Sequence, residues 1–446
     1  MKQLNLLFGL KERVSRKPYI LWGVSLMVLK YLGELLLYYL ATHEILSPLN
    51  FLSPIFNSRY PGAHQDWFVP AIVLWTIPYV WIGVSMSIRR AADANFSPWI
   101  GLFFFVPILN FVLMAVLCIA STSEVDNWHE REISNDTKIY MPPVAITLGF
   151  AVLGVILSWV STNVLAVYAS SLFVGAPFVL GLVQSYLLNY KTLRTVKSTV
   201  GYVLLTVVLI HLMLLLVALE GVICLLMSFP IAASLALLGT LLGIAIARYG
   251  KPSRLSPSLL VLALPLMPIA ESAISIPHED VVLSVTEIDA PPEKVWPNVV
   301  SFSDLPPTND WLFKLGVAHP LRARIDGHGV GAVRHCEFST GAFVEPITNW
   351  EEPHRLAFSV KYQPQPMKEL SFYDHVDAPH LNGYFRSVRG EFQLIPLPNG
   401  KTRLEGRTWY QVDIHPGWYW QMYGRWFIHK IHLRVLNHIK SLTETT

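Results

Sequence analysis

The chain has 446 residues, 52% hydrophobic and 15% charged, with a formal net charge of +3. A charged fraction well below the roughly 25% of soluble domains excludes an ordinary soluble globular protein. The cations form no basic stripe, which excludes a nucleic-acid partner.

The charge deficit is local. Residues 1–276 hold 17 Lys and Arg against 12 Asp and Glu, whereas residues 277–446 hold 17 against 19. An apolar, cationic helical region over 1–276 therefore precedes a normally charged domain over 279–446. Within the first part, runs of about 20 apolar residues, long enough to cross a bilayer as helices, lie near 19–41, 67–88, 98–120, 143–166, 171–190, 199–219, 222–247 and 257–274. The first, YILWGVSLMVLKYLGELLLYYLA, is too long for a signal-peptide core and lacks a small-x-small cleavage site, so it reads as a retained span.

Lys and Arg in short loops set orientation. Lys11, Arg13, Arg16 and Lys17 put the N-terminus in the cytoplasm, and Arg89–Arg90, Lys191–Lys197 and Arg248–Arg254 mark further cytoplasmic loops. Eight full crossings would place 191–198 on the wrong side. The run 98–120, interrupted at Pro107, is therefore expected to be a re-entrant hairpin, which leaves the C-terminal domain extracytoplasmic. Lys30 and Glu34, four apart on one helical face, are expected to neutralise each other and lock helices together rather than form a transport site. Arg89 and Asp93 are expected to pair one turn apart, and Glu220-Gly221 to mark a surface turn.

The stretches GLKERVSRKPYILWG and IRRAADANFSPWIGLFFFVPILN carry a resemblance to the small bacterial inner-membrane proteins of the domain-of-unknown-function 805 family. The matching positions are Arg13, Ser15, Arg16 and Tyr19, then Arg89, Arg90, Asp93, Ser97, Trp99 and Pro107. Ala92 stands where that family usually has His. The resemblance covers about a quarter of the chain and implies a bacterial inner membrane and no chemistry.

From Val281 the periodicity switches to the alternation of strands. Asp289-Ala-Pro-Pro-Glu-Lys-Val-Trp296 opens a helix, with prolines placed where missing N–H groups cost nothing. Strands are expected at 321–326, 331–339, 342–350, 354–362, 383–396 and 401–413. Thr340-Gly341 turns one hairpin. Leu397–Lys401 turns another, pairing Leu394 with Leu404, Phe392 with Gly406 and Glu391 with Arg407, apolar side chains on one face and charges on the other. The long insertion 363–380 reads as a lid or a surface loop. Gly424, Ile428, Ile431, Val435, Ile439 and Leu442 form one stripe of a terminal amphipathic helix.

IDAPPEKVW (288–296), the meander over 329–358 and 390–410, and IHKIHLRVLNHIK (428–440) together resemble the SRPBCC (START-like, polyketide cyclase and lipid-transport) superfamily. The resemblance implies an α+β helix-grip fold: an antiparallel sheet wrapped around a long C-terminal helix, with room for an apolar ligand. It does not choose among carriers, receptors, cyclases and sensors.

The inner sheet face supplies the candidate ligand-binding residues. One hairpin offers Arg334, Phe338, Phe343 and Glu345. A second offers Arg386, Val388, Thr408 and Tyr410, and His432 is added from the helix. Arg334 and Glu345 either meet a ligand's polar head or simply satisfy each other. His429 and His438 lie on opposite helix faces, so the helix histidines build no common metal site. Cys118, Cys224 and Cys336 are far apart with no CxxC spacing, so no disulfide framework, metal or cofactor is expected. The expected role is a membrane-anchored binding protein for a lipid or other hydrophobic small molecule, with the bilayer as its second partner. A ligand sensor and a cyclase/aromatase-like enzyme using His432, Glu345 or Tyr410 are the alternatives.

Overall fold

The computed structural model of the protein describes residues 2–10, 12–63, 65, 67–122, 143–190, 192–249, 257, 260–261, 264, 279–373, 376 and 378–445. Among them, six helices are long and apolar enough to cross a membrane, which makes this a multi-pass membrane protein. They are α1 (Arg16–Thr42), α2 (Phe68–Asp93), α4 (Pro143–Val164), α5 (Ser171–Leu188), α6 (Val196–Leu216) and α7 (Val222–Tyr249). The run 98–120 is broken: a 3-10 segment over Pro98–Phe105 gives way at Ile108, φ 69°, to α3 (Leu109–Ile119). Eleven helical residues rise only about 16 Å, roughly half the hydrocarbon thickness. The eighth run, 257–274, lies almost wholly outside the described residues.

The chain forms two compact units: residues 1–147, 178–204 and 236–261 make one, and 148–177, 205–235 and 262–446 the other. In the first, Glu34 is fully buried and pairs with Lys30 and with Arg59 at 2.8 Å, while Tyr60 donates to it at 2.7 Å. The expected Arg89–Asp93 pair does not form. Arg90 takes Asp93 and also donates to the Leu117 carbonyl at 3.1 Å. Arg89 instead donates to the Leu6 carbonyl at 2.6 Å and to Ser85 O at 3.1 Å. Both guanidiniums are fully buried, and the Leu6 and Leu117 carbonyls they serve lie in the last turns of their helices, which outcompetes the simple i,i+4 geometry. In the same unit, Gly239 and Gly243 let α7 approach α5 closely: a Cβ on either would fall within 2.3 Å of the Phe178 or Leu182 carbonyl.

The second unit contains a seven-stranded antiparallel sheet in the order β1-β7-β6-β5-β4-β3-β2. Its strands are β1 (Glu279–Ile288), β2 (Pro320–Asp326), β3 (Val333–Phe338), β4 (Gly341–Glu351), β5 (Arg355–Ser359), β6 (Phe385–Pro396) and β7 (Thr402–Val412). Helix α8 (Pro292–Val300) follows β1, and the long α9 (Gly417–Glu444) crosses the concave face. This is the helix-grip architecture. The β6–β7 hairpin pairs Leu394 with Leu404, Phe392 with Gly406 and Glu391 with Arg407, the register read from its residue pattern. On α9 the stripe faces inward: Gly424, Ile428, Val435 and Ile439 are buried and Ile431 and Leu442 partly so.

One end of the grip is packed by Leu356, Phe358, Phe392, Leu404, Leu436 and Ile439. The other rests on membrane-helix residues of the same unit, where Tyr419, Trp420 and Ile428 meet Phe173, Met227 and Ile231. Tyrosine hydroxyls donating to carbonyls reinforce it, Tyr384 to Ala166 at 2.7 Å and Tyr419 to Met227 at 2.5 Å. The carbonyl of Tyr168 accepts from the His415 N–H at 2.8 Å.

Candidate functional site

The hairpin of β3 and β4 brings Arg334 opposite Glu345 and Cys336 opposite Phe343. Alternation then places all four on the concave face. Arg334, 2% exposed, forms an ion pair with Glu345. Its guanidinium carbon lies 5.7, 5.3 and 5.5 Å from the ring centroids of Phe302, Phe358 and Phe392. Nε finds no oxygen acceptor. Burial lifts the Glu345 carboxyl above its ordinary range while Arg334 opposes the shift. Burial also pushes the Cys336 thiol up to about 12, which makes it inert rather than nucleophilic. Phe338 and Phe343 pack with ring centroids 4.8 Å apart, tilted by 56°, and remain partly exposed beside the core.

Arg386 does not face the hollow. The β6–β7 pairing runs Ser387 to Tyr410 and then Arg389 to Trp409, so Val388 is the extra residue of a β-bulge. A bulge reverses the parity of everything beyond it. Arg386 is consequently carried to the outer face, where it donates to Asp413 at 3.0 Å and Gln411 at 3.2 Å with its side chain 48% exposed. Tyr410 is buried, and its hydroxyl donates to Asp280 at 3.1 Å. Burial, with Asp280 adding to it, raises that phenol above its usual value.

Thr408 and His432 meet between β7 and α9. Thr408 Oγ1 lies 2.8 Å from His432 Nε2, and Ser284 Oγ lies 3.1 Å from His432 Nδ1 and 2.7 Å from His429 Nδ1. Both ring nitrogens of His432 are thus engaged by hydroxyls. Burial, and then His429 beside it, push its pKa down to about 3. A neutral imidazole so held fastens the helix to the sheet.

A second polar cluster sits at the membrane end of this unit, assembled from residues far apart in the chain. The insertion 363–380 is neither a free lid nor a plain surface loop. Backbone hydrogen bonds tie it to 316–318 and to the start of α7, with Lys368 N–H donating to Gly316 O at 2.8 Å and Val222 N–H to Leu370 O at 3.0 Å. That strap carries Glu369 and, on a 3-10 turn, His380, 8% and 6% exposed. Cys224 Sγ, in the first turn of α7, lies 2.9 Å from His380 Nε2 and 2.7 Å from Glu369 Oε1. Glu220, expected at the surface, has a side chain only 14% exposed and reaches His380 Nδ1 at 3.2 Å. The Tyr168 hydroxyl donates to the other Glu220 oxygen at 2.9 Å. Burial lowers the affinity of His380 for a proton, but the Cys224 sulfur and the Glu220 carboxylate outweigh it and hold its pKa well above the usual value. Burial, reinforced by Glu220, raises the Tyr168 phenol.

Gly221 makes the cluster possible. A Cβ there would lie 2.4 Å from Glu369 Cβ and 2.0 Å from its Oε2. The Cβ contact involves a fixed atom, so Gly221→Ala should force the strap off α7 and cost about 1–3 kcal/mol, readable as a lowered melting temperature of the full chain in detergent.

Residues 7–130 match the family described as protein of unknown function (DUF805). No curated protein matches the chain. Similar solved structures include a Nitrosospira multiformis protein, 19% identical over 36% of this chain and 94% of that one, TM-score 0.25. Norcoclaurine synthase from Thalictrum flavum, in complex with dopamine and hydroxybenzaldehyde, is 13% identical over 38% and 88%, TM-score 0.25. A Streptomyces aromatase/cyclase is 13% identical over 37% and 94%, TM-score 0.25. The N-terminal part thus resembles the 805 family.

Proposed function

We propose that the C-terminal domain is a membrane-anchored binding module that takes a lipid or another hydrophobic small molecule between the sheet and α9. One observation carries the reading: an apolar rim stays exposed at the end of the grip that rests on helix ends. Phe372, Trp418 and Met422 are 78%, 67% and 55% exposed, and the neighbouring Tyr373 and Tyr419 hydroxyls donate to the carbonyls of Leu216 in α6 and Met227 in α7. Exposed apolar surface of this kind suits a lipid interface, and a guest passing there avoids water. Arg334 Nε, still without an oxygen acceptor, suits a carbonyl, hydroxyl or acidic head. The membrane is the bacterial inner membrane and the domain lies on its extracytoplasmic side in this reading.

A sensor that relays occupancy to the helices is the second reading, favoured by the tyrosine-to-carbonyl ties to Ala166, Leu216 and Met227. Cyclase-type acid–base catalysis by His432 is disfavoured, because both its nitrogens are occupied and a pKa near 3 is far from a working base at neutral pH.

The test is photo-crosslinking in native membranes with benzoylphenylalanine placed either at Phe343, on the concave face, or at Leu283, which is 44% exposed on the outer face of β1. Lipid or another apolar adduct should accumulate at Phe343 at least about tenfold over Leu283, the contrast between an enclosed and an open position. Equal labelling, or none at Phe343, would overturn the reading.

A further inference from the structure

We propose that Cys224, His380 and Glu369 form a binding site for a thiophilic divalent transition-metal ion of the zinc(II) class, with Glu220 orienting the imidazole from behind. This site stands independently of any ligand in the grip. Sulfur, imidazole nitrogen and carboxylate oxygen are the three donor types that zinc accepts from proteins, and the thiolate selects against magnesium and calcium.

The geometry converges from two separate chain segments, the start of α7 and the strap. Cys224 Sγ, His380 Nε2 and Glu369 Oε1 lie 2.9, 2.7 and 3.5 Å apart pairwise, and the ligand-type atoms of Glu220, Cys224 and His380 all fall within 4.8 Å of one another. The other face of the ring is organised as the outer shell of a metal site usually is. His380 Nδ1 faces Glu220 at 3.2 Å, and Glu220 is itself held by the Tyr168 hydroxyl at 2.9 Å. A carboxylate behind the imidazole fixes its tautomer and directs Nε2 at the ion.

A purely structural hydrogen-bond cluster accounts for this arrangement poorly. The Glu369 side chain is 1% exposed, yet its Oε2 has no hydrogen-bond partner. Buried carboxylate oxygens are expensive to leave unpaired. On binding, the Cys224 thiol proton leaves to solvent, and the dication held by sulfur and Nε2 offsets the charge of the buried carboxylate beside it.

The experiment uses the full chain in mild detergent, stripped with a chelator and titrated with cobalt(II). Expected is one cobalt per chain with an intense near-ultraviolet sulfur-to-cobalt charge-transfer band, displaced by zinc(II) and unaffected by magnesium(II). Cys224→Ser should abolish the band, while Cys118→Ser and Cys336→Ser leave it intact. Glu220→Gln should retain the band but weaken binding about 10–100-fold. The wild-type spectrum is decisive even if a variant fails to fold. No thiolate band in the wild type, or a band undiminished in folded Cys224→Ser, would overturn the proposal.

Discussion

Glu345→Ala should destabilise the grip domain by about 3–5 kcal/mol, because it leaves the Arg334 charge buried and uncompensated. Arg334 is 2% exposed and enclosed by Phe302, Phe358 and Phe392, so no water reaches it to replace the carboxylate. Domains of this size have about 5–15 kcal/mol in hand, and the single variant should therefore unfold about 6–20 °C earlier or fail to accumulate. Replacing the pair together, Arg334→Met with Glu345→Leu, removes both desolvation costs. It should be close to neutral, or stabilising by about 1–4 kcal/mol. Thermal unfolding of the full chain in detergent, with the two single variants and the double variant, closes the cycle. If Glu345→Ala melts within a degree or two of wild type, the pair is not buried as described. The double variant also tests function: a fold retained with lipid capture at Phe343 lost would assign the pair to the guest rather than to the scaffold.

Acid should act on the domain through His432. Its folded-state pKa, about 3, lies below the ordinary value near 6.5. Between these values the unfolded chain binds a proton that the folded chain refuses, so unfolding is favoured as pH falls. The stability tied to neutral His432 is complete above about pH 6.5 and declines progressively toward pH 3. Each tenfold difference in proton affinity between the folded and unfolded chain is worth about 1.4 kcal/mol, so the loss across this window reaches several kcal/mol. The measurement is the melting temperature of wild type and His432→Gln from pH 7 to pH 3.5. Wild type should lose stability faster, and the difference between the two profiles should narrow as pH falls. Parallel profiles would mean that His432 is solvated and titrates normally.

How far these features could be read from residues alone depended on distance along the chain. The hairpin of β6 and β7 was legible because Leu397–Lys401 sets a turn and the apolar–charged alternation permits one register. The terminal helix was legible from the spacing of Gly424, Ile428, Val435 and Ile439. Arg386 was misplaced because alternation counts residues and cannot register the extra one at Val388. Arg90 rather than Arg89 took Asp93, since the deciding partners are carbonyls from other segments. The membrane-end cluster was invisible for the same reason. Glu220 and Cys224 do carry a local signal, two polar groups four apart at the start of an apolar helix. Their partners stand in a strap that composition alone describes as a loop.

Cys224 precedes Glu369 by 145 residues and His380 by 156. A ribosome therefore delivers α7 to the bilayer well before the strap exists, and the N-terminal parts of a chain generally organise first. Until residue 380 has been made, the head of α7 carries Glu220 and Cys224 without their full set of counterparts. A chain that stops short of the strap therefore leaves Cys224 and Glu220 at the head of a membrane helix without the imidazole that stands between them.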